Sequence, residues 1–252
     1  MAKVEYSSPV VPFGDQSREV AEIKDVIFNA FARVAESGRF ILGPEVEAFE
    51  QEFAQWLGAP HAVAVASGTE AITLALMALK IGADDEVITV ANTCVPTAAG
   101  IAGCGAKVRL ADCDPDTLMM DLNCVEGAIT SKTRANVPVH LYGNGADMPE
   151  LRKMADRHKL FIIEDCAQAM GTLIAGQTAG MFGEASAFSF YPTKNLGAYG
   201  DGGCVVTADP ETAAHLRSLR NYGYERRDYS IQLGLNSRLD EMQAAILRAK
   251  LP

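Results

Sequence analysis

Paired cysteines and clustered histidines are both missing from this sequence. Its six cysteines include no C-x-x-C pair, and its four histidines are scattered along the chain. Zinc sites and disulfide frameworks normally show such spacings, so we expect neither a metal site nor a disulfide framework. We interpret most of the cysteines as small buried hydrophobic residues.

Positive charge is scarce as well, since 22 Lys and Arg residues stand against 32 Asp and Glu residues, for a net charge of −10. The basic residues are interspersed with acidic ones, which argues against a nucleic-acid partner or an anionic membrane surface. No apolar run reaches the length of a membrane span, and the first 16 residues lack the basic-then-apolar pattern of a signal peptide. We therefore expect a cytoplasmic protein with no membrane and no nucleic-acid partner.

What the sequence contains is an alternation of helical patterns and short apolar runs over most of its 252 residues. Helical spacing of apolar residues predicts two N-terminal helices, at residues 17–37 and 44–57. Five buried strands are then predicted at residues 61–66, 86–90, 107–110, 135–140 and 160–163. Helical patterns lie between these strands, at residues 69–80, 96–102 and 148–158.

This alternation predicts right-handed βαβ crossovers and therefore an α/β fold of three layers, a mostly parallel seven-stranded sheet with helices on both faces. The last two strands, at residues 185–191 and 203–208, are joined by a Gly-rich link too short for a helical crossover. We expect these two strands to be antiparallel. Helices are predicted again at residues 210–220 and 241–251.

The first candidate site feature is the turn of Ser67, Gly68 and Thr69, between a predicted strand and a predicted helix. Such a turn exposes backbone N–H groups at the positive end of the helix dipole, and Gly68 lets an anion approach them. The turn fits a phosphate-binding site, but turns of this kind are common, and the alternative is that Ser67 or Thr69 is simply a helix cap.

The second feature is Asp165 at the carboxyl end of a predicted parallel strand, where ligands bind in open α/β sheets. A carboxylate there could keep a pyridine nitrogen protonated, and Gln168 could bind a ring hydroxyl. The alternative is that Asp165 caps a following helix.

The third feature is Lys194, which follows a predicted strand and precedes a Gly-rich turn, with the hydroxyl of Ser189 five residues earlier. A lone lysine near a turn is usually solvated, but this one lies between apolar segments. Burial disfavours the ammonium form, so such a lysine can act as a Schiff-base nucleophile. An anion site, a partner for a pyridine nitrogen and a Schiff-base lysine are together the groups that pyridoxal 5'-phosphate (PLP) requires.

Six segments, taken in order, resemble the DegT/DnrJ/EryC1/StrS family of sugar aminotransferases, which belongs to the fold-type I class of PLP enzymes. These segments are residues 38–44, 67–69, 91–93, 164–168, 189–203 and 234–241. The resemblance extends over residues 38–251 and implies the large-domain fold of that class.

The resemblance also assigns roles within the site. It implies that Lys194 carries the cofactor, that Asp165 binds the pyridine nitrogen and that Gln168 binds the ring oxygen. The family builds its site across a homodimer. The implied phosphate ligands are Gly68, Thr69, Ser189 and, from a neighbouring subunit, Asn236.

The sequence departs from the family pattern in two respects. Family members often have an aromatic residue after Asn-Thr that stacks on the cofactor ring, whereas this chain has Cys94. The cofactor would then contact Cys94, or be covered by a neighbour such as His140 or Tyr142. The family also continues into a smaller C-terminal domain. We therefore divide the chain into an N-terminal segment and helix, residues 1–37, and a PLP-binding large domain, residues 38–252, and expect the small domain to be absent.

The function implied by the resemblance is that of a PLP-dependent aminotransferase, which moves an amino group from an amino acid, here glutamate, to a nucleotide-linked keto-sugar. Arg226, Arg227 and Arg238 are candidates to bind the sugar diphosphate, with a solvated face as the alternative. Two other functions stay open, a keto-sugar dehydratase that uses pyridoxamine phosphate and an inactive PLP-binding fragment. A dinucleotide-binding oxidoreductase is disfavoured because no G-x-G-x-x-G follows the first buried strand.

Overall fold

The computed structural model describes residues 12 and 14–252, so most of the predicted segment before the first helix lies outside the described residues. Helix α1 (Gln16–Ser37) and helix α2 (Pro44–Leu57) fall where the apolar spacing predicts them. Both helices end at a glycine in the left-handed conformation, Gly38 with φ 63° and Gly58 with φ 76°. Glycine adopts this conformation without steric cost, which makes it the common residue after a helix C-terminus.

The elements that follow alternate between strands and helices along the chain. In chain order they are β1 (His61–Val65), α3 (Gly68–Ala78), β2 (Glu86–Val90), α4 (Val95–Gly103), β3 (Lys107–Ala111), α5 (Leu122–Ala128), β4 (Thr133–Val137), a single 3-10 turn (Leu141–Gly143), α6 (Met148–His158), β5 (Phe161–Asp165), β6 (Leu173–Ile174), β7 (Gln177–Thr178), β8 (Ala185–Ser189), β9 (Gly203–Thr207), α7 (Pro210–Leu219), β10 (Tyr224–Arg226), β11 (Tyr229–Ser230) and α8 (Glu241–Lys250).

Seven of these strands form the central sheet, in the order β1-β9-β8-β5-β4-β2-β3. Strands β3, β2, β4, β5 and β8 run parallel to one another, while β9 is antiparallel to both β8 and β1. The predicted seven-stranded, mostly parallel sheet and its antiparallel pair are therefore confirmed. Parallel strands end at one edge of the sheet, so the turns after β2 and β5 and the loop after β8 come together there.

The structure corrects some boundaries and adds elements that the sequence did not indicate. Strand β4 ends at Val137 rather than at residue 140, because Pro138 has no N–H to continue the ladder. Strand β8 ends at Ser189 rather than at residue 191, where the chain enters a closed loop. Helix α5 was not predicted, and neither were the two small hairpins β6-β7 and β10-β11.

Helices cover both faces of the sheet, as predicted, and each face has its own apolar core. Helices α2, α5, α6 and α8 pack on one face, and α3, α4 and α7 pack on the other. Four phenylalanines from α2 and from the region of β8 interlock at the first face, with ring centroids 5.2 to 5.6 Å apart: Phe49, Phe53, Phe188 and Phe190. This packing fixes the chain on either side of Ser189 against helix α2.

The cysteines are less buried than the sequence suggested. All six carry free thiols, and only Cys166 and Cys204 among them are buried, so the expectation that most are core residues is wrong. Across the part of the chain that the structure describes, no helix is long and apolar enough to cross a membrane.

Candidate active site

A cavity of about 280 Å³ lies at the carboxyl ends of the parallel strands. Its lining includes seven of the eight residues that the sequence singled out for the site, which are Gly68, Thr69, Cys94, Asp165, Gln168, Ser189 and Lys194. The eighth, Asn236, is exposed in the segment between β11 and α8, where it forms a bridge with Asn221 instead. Sequence segments more than 120 residues apart thus meet in one place, at the edge where open α/β sheets bind ligands.

The turn before α3 forms one corner of this cavity. Ser67 is the helix cap, since its hydroxyl accepts the N–H of Glu70 at 3.1 Å, which leaves Gly68 and Thr69 as the first helical residues. A Cβ on Gly68 would lie 2.6 Å from Cβ of Ser189, so only glycine allows β8 to approach α3 this closely. The corner therefore combines the positive end of a helix with two hydroxyl side chains, a combination suited to an anion.

Asp165 is the last residue of β5 and is only 5% exposed. Its Oδ2 accepts the hydroxyl of Thr97 at 2.7 Å, and its Oδ1 accepts the N–H of Ala167 at 3.0 Å. The alternative that Asp165 caps a helix is wrong, because residues 166–172 form turns. Burial raises the pKa of this carboxyl, while the two hydrogen bonds and the charge of Lys194 oppose that rise. A cation in the cavity would stabilise the ionised carboxylate.

Gln168 has a fixed orientation at the cavity wall. Its Oε1 accepts the backbone N–H of Tyr142 at 2.8 Å, and because an N–H can only donate, the amide cannot be flipped. The Nε2 is left as a donor, 3.9 Å from Sγ of Cys94. Tyr142 presents its N–H from a left-handed conformation, with φ 58°, next to Gly143.

Cys94 occupies the position before α4 and is exposed at the cavity. Of the two alternatives for covering a cofactor ring, His140 is not available, since it is fully buried and its Nε2 lies 3.0 Å from Oε2 of Glu164. Tyr142 is 76% exposed beside the cavity. Val139 and Leu141 also line the cavity, and no signal in the sequence marks them, because apolar residues in or beside a predicted strand normally belong to the core.

Lys194 lies in a closed loop between β8 and β9. The loop is fastened by two backbone hydrogen bonds of 2.8 Å, from Lys194 to Tyr191 and from Ala198 to Phe190. The side chain of Lys194 is partly buried and lines the cavity. These hydrogen bonds hold the backbone on both sides of Lys194, so its amine stays at the cavity wall.

Helix α8 holds the base of the same loop. Lys250 donates from Nζ to the carbonyl of Gly197 at 2.6 Å, and Oε1 of Gln243 accepts the N–H of Tyr199 at 2.8 Å. Both contacts join residues more than 40 positions apart, and nothing in the local sequence of α8 signals them.

The three candidate arginines do not line the cavity of this chain. Arg226 lies over the ring of Tyr229, and Arg227 is exposed and pairs with Asp228. Arg238 donates to Oδ1 of Asn221 at 3.0 Å. The structure therefore does not bring these residues together with Lys194.

The comparisons with known proteins agree with this architecture. A relative from Micromonospora megalomicea subsp. nigra, named dTDP-3-amino-3,4,6-trideoxy-alpha-D-glucose transaminase, is 51% identical over 238 residues, which cover 94% of this chain and 63% of the relative. The present chain thus spans less than two thirds of that protein's length.

Solved structures share the fold over nearly the whole chain. The crystal structure of S. venezuelae DesV in complex with a ketimine intermediate has a TM-score of 0.94 and 49% identity, covering 97% of this chain and 66% of that one. NtdA from Bacillus subtilis, solved with the bound cofactor PMP, has a TM-score of 0.90 and 33% identity, covering 99% of this chain and 57% of that one. Residues 21–252 match the sequence profile of a single family. The chain belongs to the DegT/DnrJ/EryC1/StrS aminotransferase family.

Proposed function

We propose that this protein is a PLP-dependent transaminase that transfers an amino group from an amino acid to the keto group of a nucleotide-linked sugar. The proposal rests on one observation: the side chains of Lys194, Asp165 and Gln168 line the same cavity as the turn of residues 67–69 before α3, here called the α3 corner. Family membership and the names of the relatives point to the same chemistry.

The groups around the cavity fit PLP one by one. The α3 N-terminus with Thr69 and Ser189 suits a phosphate, and Gly68 leaves no side chain in the way. The buried carboxylate of Asp165 suits a protonated pyridine nitrogen, and Nε2 of Gln168 suits the ring oxygen. Lys194 supplies the amine that binds the cofactor aldehyde, and Cys94 lies at the wall as a further contact.

When bound, PLP supplies an electron sink for the carbanion that forms as the amino acid loses its α-proton. Lys194 would hold the cofactor through Nζ, and the same Nζ would serve as the base that takes a proton from the donor Cα and as the acid that returns one. Asp165 would hold a proton on the ring nitrogen, which would strengthen the electron sink. Gln168 and the α3 corner would orient the cofactor, which would keep the proton transfer by Lys194 in a fixed geometry.

We further propose that residues 38–252 form the PLP-binding large domain, that the enzyme is a cytoplasmic homodimer and that glutamate is the amino donor. Asn236 is exposed and lies outside the cavity of its own chain, which supports a role at the phosphate of the partner's site. The six free thiols are consistent with a reducing compartment.

The proposal is tested by incubating the purified chain and PLP with glutamate and a panel of keto-sugar nucleotides. The name of the 51% identical relative makes a dTDP-linked 3-keto-4,6-dideoxy sugar the first to try. We expect an aminated sugar nucleotide and 2-oxoglutarate in equal amounts, and no product from a Lys194→Ala variant. A deoxygenated sugar without transfer of nitrogen would support the dehydratase instead, and no turnover of any sugar by a PLP-loaded chain would support the inactive fragment.

A further inference from the structure

We infer that Thr97 is a positioning residue, which holds the Asp165 carboxylate ionised and aimed at the cofactor nitrogen. The inference rests on the proposed function for the identity of the cofactor. Thr97 lies in the first turn of α4 and is 2% exposed, and its hydroxyl is 2.7 Å from Oδ2 of Asp165. Sequence reasoning did not find it, because its partner lies 68 residues away.

The hydroxyl of Thr97 is part of a hydrogen-bond chain with a direction. Oγ1 of Thr93 lies 2.8 Å from Oγ1 of Thr97, and either atom could be the donor by geometry alone. An ionised carboxylate only accepts, so Thr97 donates to Asp165 and Thr93 donates to Thr97. If Asp165 were protonated, its carboxyl O–H could donate to Thr97, and both hydrogen bonds could run in the opposite direction. The two threonines therefore favour the ionised state of Asp165 when their hydroxyls point toward it.

The remaining contacts of Asp165 are with the main chain. Its carboxylate accepts the N–H of Ala167, its own N–H donates to the carbonyl of Pro138, and its carbonyl accepts the N–H of His140. Within the described residues, Thr97 is the one side chain that donates to this carboxylate. The backbone groups of Asp165 are held by Pro138 and His140, while Thr97 and Ala167 each hold one oxygen of its carboxylate.

The charges around Asp165 explain why this donor matters. Burial raises the pKa of Asp165. The hydrogen bond from Thr97 lowers this pKa more than any other contact does; smaller contributions come from Ala167, Lys194 and His140. Glu164 and Cys166 precede and follow Asp165 in the chain and are buried as well. Hydrogen bonds to an ionised group are stronger than those between neutral groups. Removing the Thr97 hydroxyl therefore shifts Asp165 toward its protonated form, which carries no negative charge to stabilise a protonated pyridine nitrogen.

The test is a pH titration of Asp165 in the cofactor-free protein, monitored by ¹³C NMR of isotope-labelled Asp carboxyl groups. The Asp165→Asn variant identifies which signal belongs to Asp165. Thr97→Val keeps the branched shape and removes the hydroxyl, while Thr97→Ser keeps the hydroxyl. We expect the pKa of Asp165 to rise by about one to two pH units in Thr97→Val. It should stay near the wild-type value in Thr97→Ser.

A second readout uses the protein loaded with PLP. We expect Thr97→Val to bind PLP about tenfold more weakly than wild type and Thr97→Ser, from the loss of one charge-assisted hydrogen bond acting through Asp165. If wild type binds no PLP, the proposed function fails, while the titration of the cofactor-free protein still tests Thr97. If wild type binds PLP and Thr97→Val titrates and binds as wild type does, the role of Thr97 is overturned.

Thr93→Val provides a test that does not depend on the folding of Thr97→Val. It removes the donor to Thr97 and leaves the Thr97–Asp165 contact in place. We expect a smaller rise in the pKa of Asp165, in the same direction. An unchanged Asp165 titration in a folded Thr93→Val protein would contradict the directed hydrogen-bond chain.

Discussion

The side-chain oxygen of Gln168 accepts the backbone N–H of Tyr142 at 2.8 Å, and this contact decides which end of the amide faces the cavity. The side chain is thereby a donor toward any ligand. Tyr142 adopts a left-handed conformation at this contact, with φ 58°.

Replacing Gln168 by Glu should weaken PLP binding by about tenfold or more, because an oxygen would replace Nε2 opposite the cofactor's ring oxygen while Tyr142 keeps its acceptor. Gln168→Ala, which removes the donor without adding a negative charge, should weaken binding less. The measurement is a fluorescence titration with PLP. Equal affinities of Gln168→Glu and wild type would mean that Nε2 does not contact the cofactor.

Replacing Gly68 by Ala should both destabilise the fold and reduce PLP affinity. The added Cβ would lie 2.6 Å from Cβ of Ser189, so β8 or α3 must move, at a cost of about 1–3 kcal/mol for overpacking. Gly127→Ala is the matched control, since nothing lies within 4 Å of its added Cβ in α5. That control should stabilise the helix by about 0.5–1 kcal/mol. Urea unfolding and PLP titration of both variants check the prediction.

Replacing Glu241 by Ala should weaken the contact between α8 and the start of α2. The buried carboxylate of Glu241 accepts the N–H groups of Gly43, Glu45 and Val46 at 2.8 to 2.9 Å, and so satisfies three donors at the N-terminus of α2. We expect a loss of about 3 kcal/mol in the free energy of unfolding. Glu22→Ala, on an exposed face of α1, should change it by less than about 0.5 kcal/mol. If the free energy of unfolding of Glu241→Ala fell by as little as that of Glu22→Ala, the contact of Glu241 with α2 would contribute little.

Asp209 should make stability depend on pH in the acid range. Hydrogen bonds from the hydroxyl and then the N–H of Thr212 hold the pKa of Asp209 below its usual range. The carboxylate therefore stabilises the fold above the pKa of the unfolded state, about 3.9, and this contribution is lost as pH falls through the lower folded value. The stability difference between wild type and Asp209→Ala, measured with urea, should shrink as pH falls from about 6 to about 3. A difference independent of pH would contradict the ionised cap.

Much of the sheet could be predicted from the sequence, because a short apolar run marks each buried strand and the helical spacing of apolar residues marks most of the helices. The same holds for Gly68, Asp165 and Lys194, which lie at or shortly after the end of such a strand. Thr97, Gln243 and Lys250 could not be predicted, because their contacts join residues 44 to 68 positions apart. Helix α5 has seven residues, too few for a clear apolar period.

The central claim is that Lys194 holds PLP through its Nζ. The most direct measurement is to mix the purified chain with PLP, reduce it with borohydride, and map the modified peptide by mass spectrometry. We predict one phosphopyridoxyl group per chain, on Lys194, and none at that peptide in Lys194→Ala. A label on other lysines of the wild-type chain, with Lys194 unmodified, would contradict the claim.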